Sequence, residues 1–121
     1  MDRKIRKFVP GKAAQPAVPV VEVTKEMRVR GRVRMPEGIA RGVMVRGTVV
    51  AWAVARLPDE KGVRHITVET DVQHRRTGYA AACLQALVRD VHEPMVYECE
   101  ESNLKSAKTA LKAGFTEVTG G

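Results

Sequence analysis

The chain has 121 residues and 44% hydrophobic content, which is the size of one ordinary domain with a globular rather than a disordered composition. No apolar run approaches the ~20 residues a membrane-spanning helix needs, and the basic start Met1–Lys7 has no apolar stretch behind it to make a secretory signal. The formal charge of +7 is uneven: residues 1–46 hold 12 Lys and Arg against 4 Asp and Glu, residues 47–121 hold 9 against 10, and so an anionic partner is sought on the N-terminal side. Two cysteines, Cys83 and Cys99, match neither a zinc spacing nor a disulfide framework, and no Asp, Glu and His cluster has metal-ligand spacing. The expectation is a cytoplasmic domain without a metal.

Residues 1–19 read as a basic arm, because Pro10, Gly11, Pro16 and Pro19 interrupt any helix. Residues 20–121 read as a single domain. Val20–Val23 is a short strand. Met27–Met35 alternates without a break, with Met27, Val29, Gly31, Val33 and Met35 on one face and Arg28, Arg30, Arg32 and Arg34 on the other. Period two is the mark of a strand, and the arginine row reads either as a charged edge that blocks aggregation or as a phosphate grip. Val43–Arg46 and Thr48–Arg56 form a hairpin about Arg46-Gly47; the second strand is apolar on both faces, as a central strand is, and places Trp52 in the core.

Pro58–Gly62 is a turn and Val63–Thr70 the next strand. From Arg76 to Val91 the period becomes helical, with Ala80, Leu84, Leu87 and Val91 on one face. Met95–Cys99 is a strand. Asn103–Ala113 is a second helix, with Leu104, Ala107 and Leu111 inward and Gly114 at its end, and Phe115–Val118 is a last short strand. The fold class is α+β: an antiparallel meander followed by strand, helix, strand, helix, strand. Cys83 reads as a packed small residue, His74 and His92 as surface or capping residues.

The chemically informative stretch is His65–Ala80, where a strand enters Arg75-Arg76-Thr77-Gly78-Tyr79-Ala80 and then opens a helix. Amides at a helix start lack intrahelical partners and, with the positive end of the helix dipole, suit an anion such as a pyrophosphate. Gly78 has no Cβ to keep a phosphate at a distance, and Arg75 and Arg76 add charge.

These residues resemble the signature of the GNAT N-acetyltransferase family, a Gln or Arg followed at fixed spacing by Gly and then Gly or Ala, here Arg75, Gly78 and Ala80. The lead-in His74 is similar to the family's, and Asn103, Ser106 and Gly114-Phe115 resemble its second motif. The resemblance covers about residues 43–118. It implies a mixed sheet that splays open between Val63–Thr70 and Met95–Cys99, with acetyl-CoA in the gap. The pantetheine arm would pair with backbone near Val68 and Thr70, in a strand carrying a bulge. The pyrophosphate would lie on Arg75, Arg76, Thr77, Gly78, Tyr79 and Ala80, with Asn103 and Ser106 alongside.

The implied reaction is transfer of an acetyl group to a primary amine of a small molecule or protein. It needs a neutral amine held against the thioester, and Glu69 is the first candidate base, followed by His65 and Glu98. Two departures stand out. Ala110 occupies the position of the family's usual Tyr, with Tyr79 and Tyr97 elsewhere in sequence. No helix of the usual acceptor wall precedes residue 76, which leaves the groove open or closed by a second subunit of a homodimer. The alternatives are a catalytically inactive CoA- or partner-binding protein of the same fold and a basic nucleic-acid-binding module; the latter is disfavoured by the scarcity of aromatics.

Overall fold

A computed structural model describes residues 4–12, 14–31 and 33–118. Its strands are β1 (Ile5–Val9), β2 (Val21–Glu22), β3 (Arg28–Val29), β4 (Gly38–Val45), β5 (Thr48–Arg56), β6 (Arg64–Thr70), β7 (Met95–Glu100) and β8 (Thr116–Val118). The helices are α1 (Tyr79–Asp90) and α2 (Leu104–Lys112), with a short 3-10 turn at Val72–His74. One sheet runs in the order β2-β4-β5-β6-β7-β1-β8, with β3 paired to β5 beside this path. The α+β architecture read from the sequence is the one observed.

The sheet has a helix-covered face and an opposite face. Ala51, Ala53 and Ala55 of β5 meet Ala81, Cys83, Leu84 and Leu87 of α1 in the larger core cluster. Their small side chains let α1 lie close on the strand. Trp52 and Val54, pointing the other way, form a second cluster with Ala40 and Val49, capped by Val23, Met27 and Met35. Period two in a fully buried strand thus feeds two separate cores. Cys83 is buried among the first set, and burial pushes its thiol up to about 12.

Four expectations are corrected. The first concerns the arm over 1–19: residues 5–9 are β1, hydrogen-bonded between β7 and β8 with Phe8 opposite Tyr97 on one side and Glu117 on the other. Phe8 is fully buried and meets Tyr97 edge-on at 6.2 Å between ring centroids. Arg6 stacks over Phe8 and pairs with Glu117, Nη2 to Oε1 2.6 Å. The following turn is held where Gly11 lies so close to the Gly114 carbonyl that a Cβ would stand 2.3 Å from it.

The second concerns the long strand over 27–35, which reduces to Arg28–Val29, parallel to β5 at Thr48 and Val49. From Ala51 onward that edge of β5 is occupied by β6, so no further partner remains. Gly31 turns the chain at φ +142 onto the face opposite the helices. Met27 and Met35 do face the Trp52 cluster. Arg28 and Arg30 are exposed, and Arg32 lies outside the described residues.

The third concerns the bulge. The β5–β6 ladder is regular from Ala51–Thr70 to Ala55–Ile66, and the register shift lies between β4 and β5 at Val43 and Met44. The extra residue is Val50 of β5, whose carbonyl instead accepts from Asp71 N–H at 2.7 Å. The fourth concerns α2, whose core-facing residues are Ala107 and Ala110, followed by Ala113, while Leu104 and Leu111 are exposed. Only small residues fit where α2 lies against α1 and the Tyr97–Phe115 ring pair.

Candidate functional site

The sheet opens where β6 and β7 part. They are parallel and pair only at Arg64–Met95 and His65–Val96. Beyond that point β6 keeps β5 on one edge and, among the described residues, has no strand on the other. Antiparallel ladders alternate hydrogen-bonded and non-bonded pairs. Asp71 donates to Val50, so residues 69 and 67 also turn their backbone toward β5. Residues 68 and 70 therefore turn theirs toward the gap, while Arg64, of the same parity, already donates to Pro94 O at 2.9 Å on that side. Val68 and Thr70, the residues expected to face a pantetheine, thus stand on the open edge. The Thr70 amide is partly engaged, donating to Glu69 Oε1 at 3.2 Å.

The base of the opening is stapled by side chains. His65 lies between two carboxylates, Nε2 2.9 Å from Asp59 Oδ2 and Nδ1 3.0 Å from Glu98 Oε1. Arg64 pairs with Glu93 across the same junction. The hydrogen bond that His65 donates to Asp59 raises the imidazole above its usual range, and the same bond holds Asp59 down to about 2. The folded state thus favours imidazolium. That contribution is complete below the unfolded histidine value of ~6.5 and is lost as pH rises through the higher folded value, while the Asp59 share, present above the ordinary carboxylate value of ~4, is lost on acidification toward its folded one. Denaturant midpoints are therefore expected to fall as pH rises above the ordinary histidine value of ~6.5, and the His65→Gln variant is expected to lose that fall. An unchanged pH profile in the variant refutes the staple.

Past the opening, the chain leaves β6 through the 3-10 turn and enters α1. Arg76 and Gly78 both take left-handed backbone conformations, at φ 64 and 81. Left-handed residues flanking a turn aim neighbouring amides to one side, an anion-binding concavity. Side chains lock this loop from within. Thr77 Oγ1 donates to His74 O at 2.6 Å, His74 Nδ1 meets Asp71 Oδ2 at 3.1 Å, and the His74 and Tyr79 rings stack at 6.4 Å. His74 is thus a loop brace. Among the described residues the amides of Arg76 and Gly78 have no acceptor, Tyr79 N–H meets Thr77 Oγ1 at 3.4 Å, and the first helical bond is Ala82 to Gly78 at 3.0 Å. Ala80 and Ala81 therefore also precede the bonded part of the helix. The helix starts at Tyr79, three residues later than its periodicity suggests, because Gly78 is its left-handed N-cap. Arg75 and Arg76 are exposed with no ion pair among the described residues.

Glu69 lies in β6 opposite Trp52, on the face away from the helices and half exposed. Gly31 passes over it, and a Cβ there would stand 3.2 Å from Glu69 Cγ. The segment that follows β3 and carries Arg30 therefore passes over the Glu69 side chain. Asn103 and Ser106 lie at the N-terminal end of α2, whereas it is the C-terminal end that approaches the 75–80 loop, at Gly78. Asn103 Oδ1 caps the helix by accepting from Ser106 N–H at 3.2 Å, and Ser106 hydrogen-bonds to buried Tyr97. Ala110 is fully buried, so its position has no free space for a ring. One residue the sequence reading missed is Lys112. Its Nζ lies 3.0 Å from where a Cβ of Gly78 would stand, a proximity that no spacing between residues 78 and 112 could reveal. Among the described residues no group of three or more His, Cys, Asp and Glu could hold a metal, and no helix is long and apolar enough to cross a membrane.

A parting of parallel strands beside a strand-to-helix loop opened by a glycine is the arrangement that the resemblance to the GNAT family implies. The profile of the acetyltransferase (GNAT) family matches residues 16–115, and the chain belongs to that family. It is 38% identical over 63 residues to the uncharacterized N-acetyltransferase YjdG of Bacillus subtilis, covering 48% of this chain and 38% of that one. Its fold is similar to a solved structure described as a GNAT-family acetyltransferase from Novosphingobium aromaticivorans, at TM-score 0.70 and 17% identity, covering 94% of this chain and 59% of that one. A GNAT-family acetyltransferase from Colwellia psychrerythraea aligns at TM-score 0.53 and 21% identity, over 65% of this chain and 31% of its own length. The chain thus spans less than two thirds of the length of each of these relatives.

Proposed function

We propose that this chain binds acetyl-CoA in the β6–β7 opening and transfers the acetyl group to a primary amine. The observation that carries the reading is a strand edge at Val68 and Thr70 with no strand beside it among the described residues, followed along the chain by the open amides of Arg76 and Gly78. The residues fit the cofactor: a glycine stands where a side chain would intrude, and among the described residues the Arg76 and Gly78 amides are open and Arg75 and Arg76 have no ion pair. Bound there, acetyl-CoA would supply an activated acyl carbon whose carbonyl polarises as the amine attacks. The chain's own part is positioning. The β6 edge fixes the extended arm, the loop amides take the phosphates, and the stapled base sets how far the strands part.

Glu69 is the proposed base for the amine proton, from the face opposite the helices. His65 and Glu98 fit that role less well, since each is already committed to the other. The buried Ala110 favours a second reading, a CoA-binding protein without turnover, because no tyrosine stands there to protonate the leaving thiolate.

The test is thermal unfolding with acetyl-CoA, then thiol release over a panel of amines. Ligand at 100-fold its dissociation constant is expected to stabilise by about 2.7 kcal/mol, and no shift at low salt overturns the assignment. Glu69→Gln is expected to bind acetyl-CoA like the parent and to turn over roughly 100-fold more slowly. Equal turnover removes Glu69 as the base. Binding without thiol release for any amine selects the second reading.

A further inference from the structure

We infer that Lys112, at the C-terminal end of α2, is a phosphate ligand of the cofactor site, reaching the loop cradle at Gly78. The inference rests on the cofactor reading above. Its ground is the meeting of two elements distant in sequence. The Lys112 Nζ lies 3.0 Å, and its Cε 3.7 Å, from where a Cβ on Gly78 would stand, so the ammonium hangs over the one residue of the loop that has no side chain. Gly78 at φ 81 is then required twice over: by its backbone conformation and by the space the ammonium occupies.

Lys112 has no carboxylate or carbonyl partner among the described residues, and α2 contains no acidic residue to neutralise it. A cation at a helix C-terminus is favourable on its own account. That effect does not require the side chain to reach across to another element. A bare ammonium beside acceptor-free amides, with Arg75 and Arg76 adjoining, is the arrangement that a dianionic diphosphate completes. The loop amides fix the geometry of such an anion, and a lysine supplies a compact charge on a flexible stem that can follow it. Lys112 thereby ties α2 to α1 through the ligand, so cofactor binding is expected to hold the two helix ends together.

Calorimetric titration of the full chain with CoA, and with S-acetylpantetheine as a phosphate-free probe, tests this. Lys112→Gln is expected to weaken CoA about tenfold and leave S-acetylpantetheine unchanged. The slope of affinity against salt should become shallower. Lys112→Arg should retain most of the affinity. Lys108→Gln, the same charge change one turn back on α2, should cost less than about twofold in 0.15 M salt. If the parent does not bind CoA, the cofactor reading fails and this inference falls with it. If the parent binds and Lys112→Gln binds equally well, or loses both probes in parallel, the cofactor reading stands and Lys112 has no phosphate role.

Discussion

Replacing Gly78 with Asp is expected to weaken CoA binding by about 100-fold or more while leaving the protein folded. The new carboxylate would stand where a diphosphate has to lie; like charges ~4 Å apart repel by up to about 4 kcal/mol at the effective dielectric of a protein surface, and screening takes off part of that. The substitution adds a second penalty, because the carboxylate could reach the Lys112 ammonium and fill the cradle from inside. Folding should survive, since Asp is among the residues that tolerate the left-handed conformation of position 78. Gly78→Ala separates backbone from charge. It carries the strain of roughly 1–2 kcal/mol without the anion, and so should lower stability more than it lowers affinity. The measurement is a CoA titration beside a circular dichroism melt. A folded Gly78→Asp protein with parental affinity means that the loop is only a turn.

The largest expected effect on stability is at Phe8. Truncation to Ala should cost about 3–5 kcal/mol, the usual range for a buried ring, and lower the melting temperature by roughly 15 °C. Much of the stability of a small domain would go, which is ~5–15 kcal/mol in total. Phe8 is fully buried, meets Tyr97 edge-on, and anchors the strand that joins β7 to β8. Without β1 the last strand has no partner to connect it to the sheet, since β8 pairs only there. A mobile arm would behave differently: Phe8→Ala would then move the melt by no more than the ±0.5 kcal/mol of an ordinary surface change. The experiment thus decides whether residues 5–9 belong to the fold.

These two positions show how unevenly the sequence discloses its structure. Gly78 was legible because its meaning is local: a strand, a basic turn with a glycine, and a helical period adjoin in one stretch of chain. The hairpin about Arg46-Gly47 was legible for the same reason, as both residues take the positive φ that its turn requires. Phe8 was not legible. Its strand has only five residues, two prolines follow within eight positions of its end, and its partners lie about 90 and 110 residues away. Nothing in so short a basic segment says that a sheet edge awaits it.

The amino-acid sequence by itself determined most of the elements and the strand-to-helix loop: strands by period two, helices by their apolar spacing, the turn into α1 by its glycine. Those signals depend on neighbours along the chain, and backbone sterics enforce them wherever the chain goes. Only the tertiary structure decided which strands meet and which stay apart. It placed β1 between β7 and β8, cut the arginine-bearing strand to two residues because β6 already holds that edge of β5, and moved the bulge to Val50. It also turned the alanines rather than the leucines of α2 inward, and carried Lys112 to Gly78. Pairing and close packing are settled by competition among distant segments for the same edges and the same volume, and a linear pattern does not record who wins.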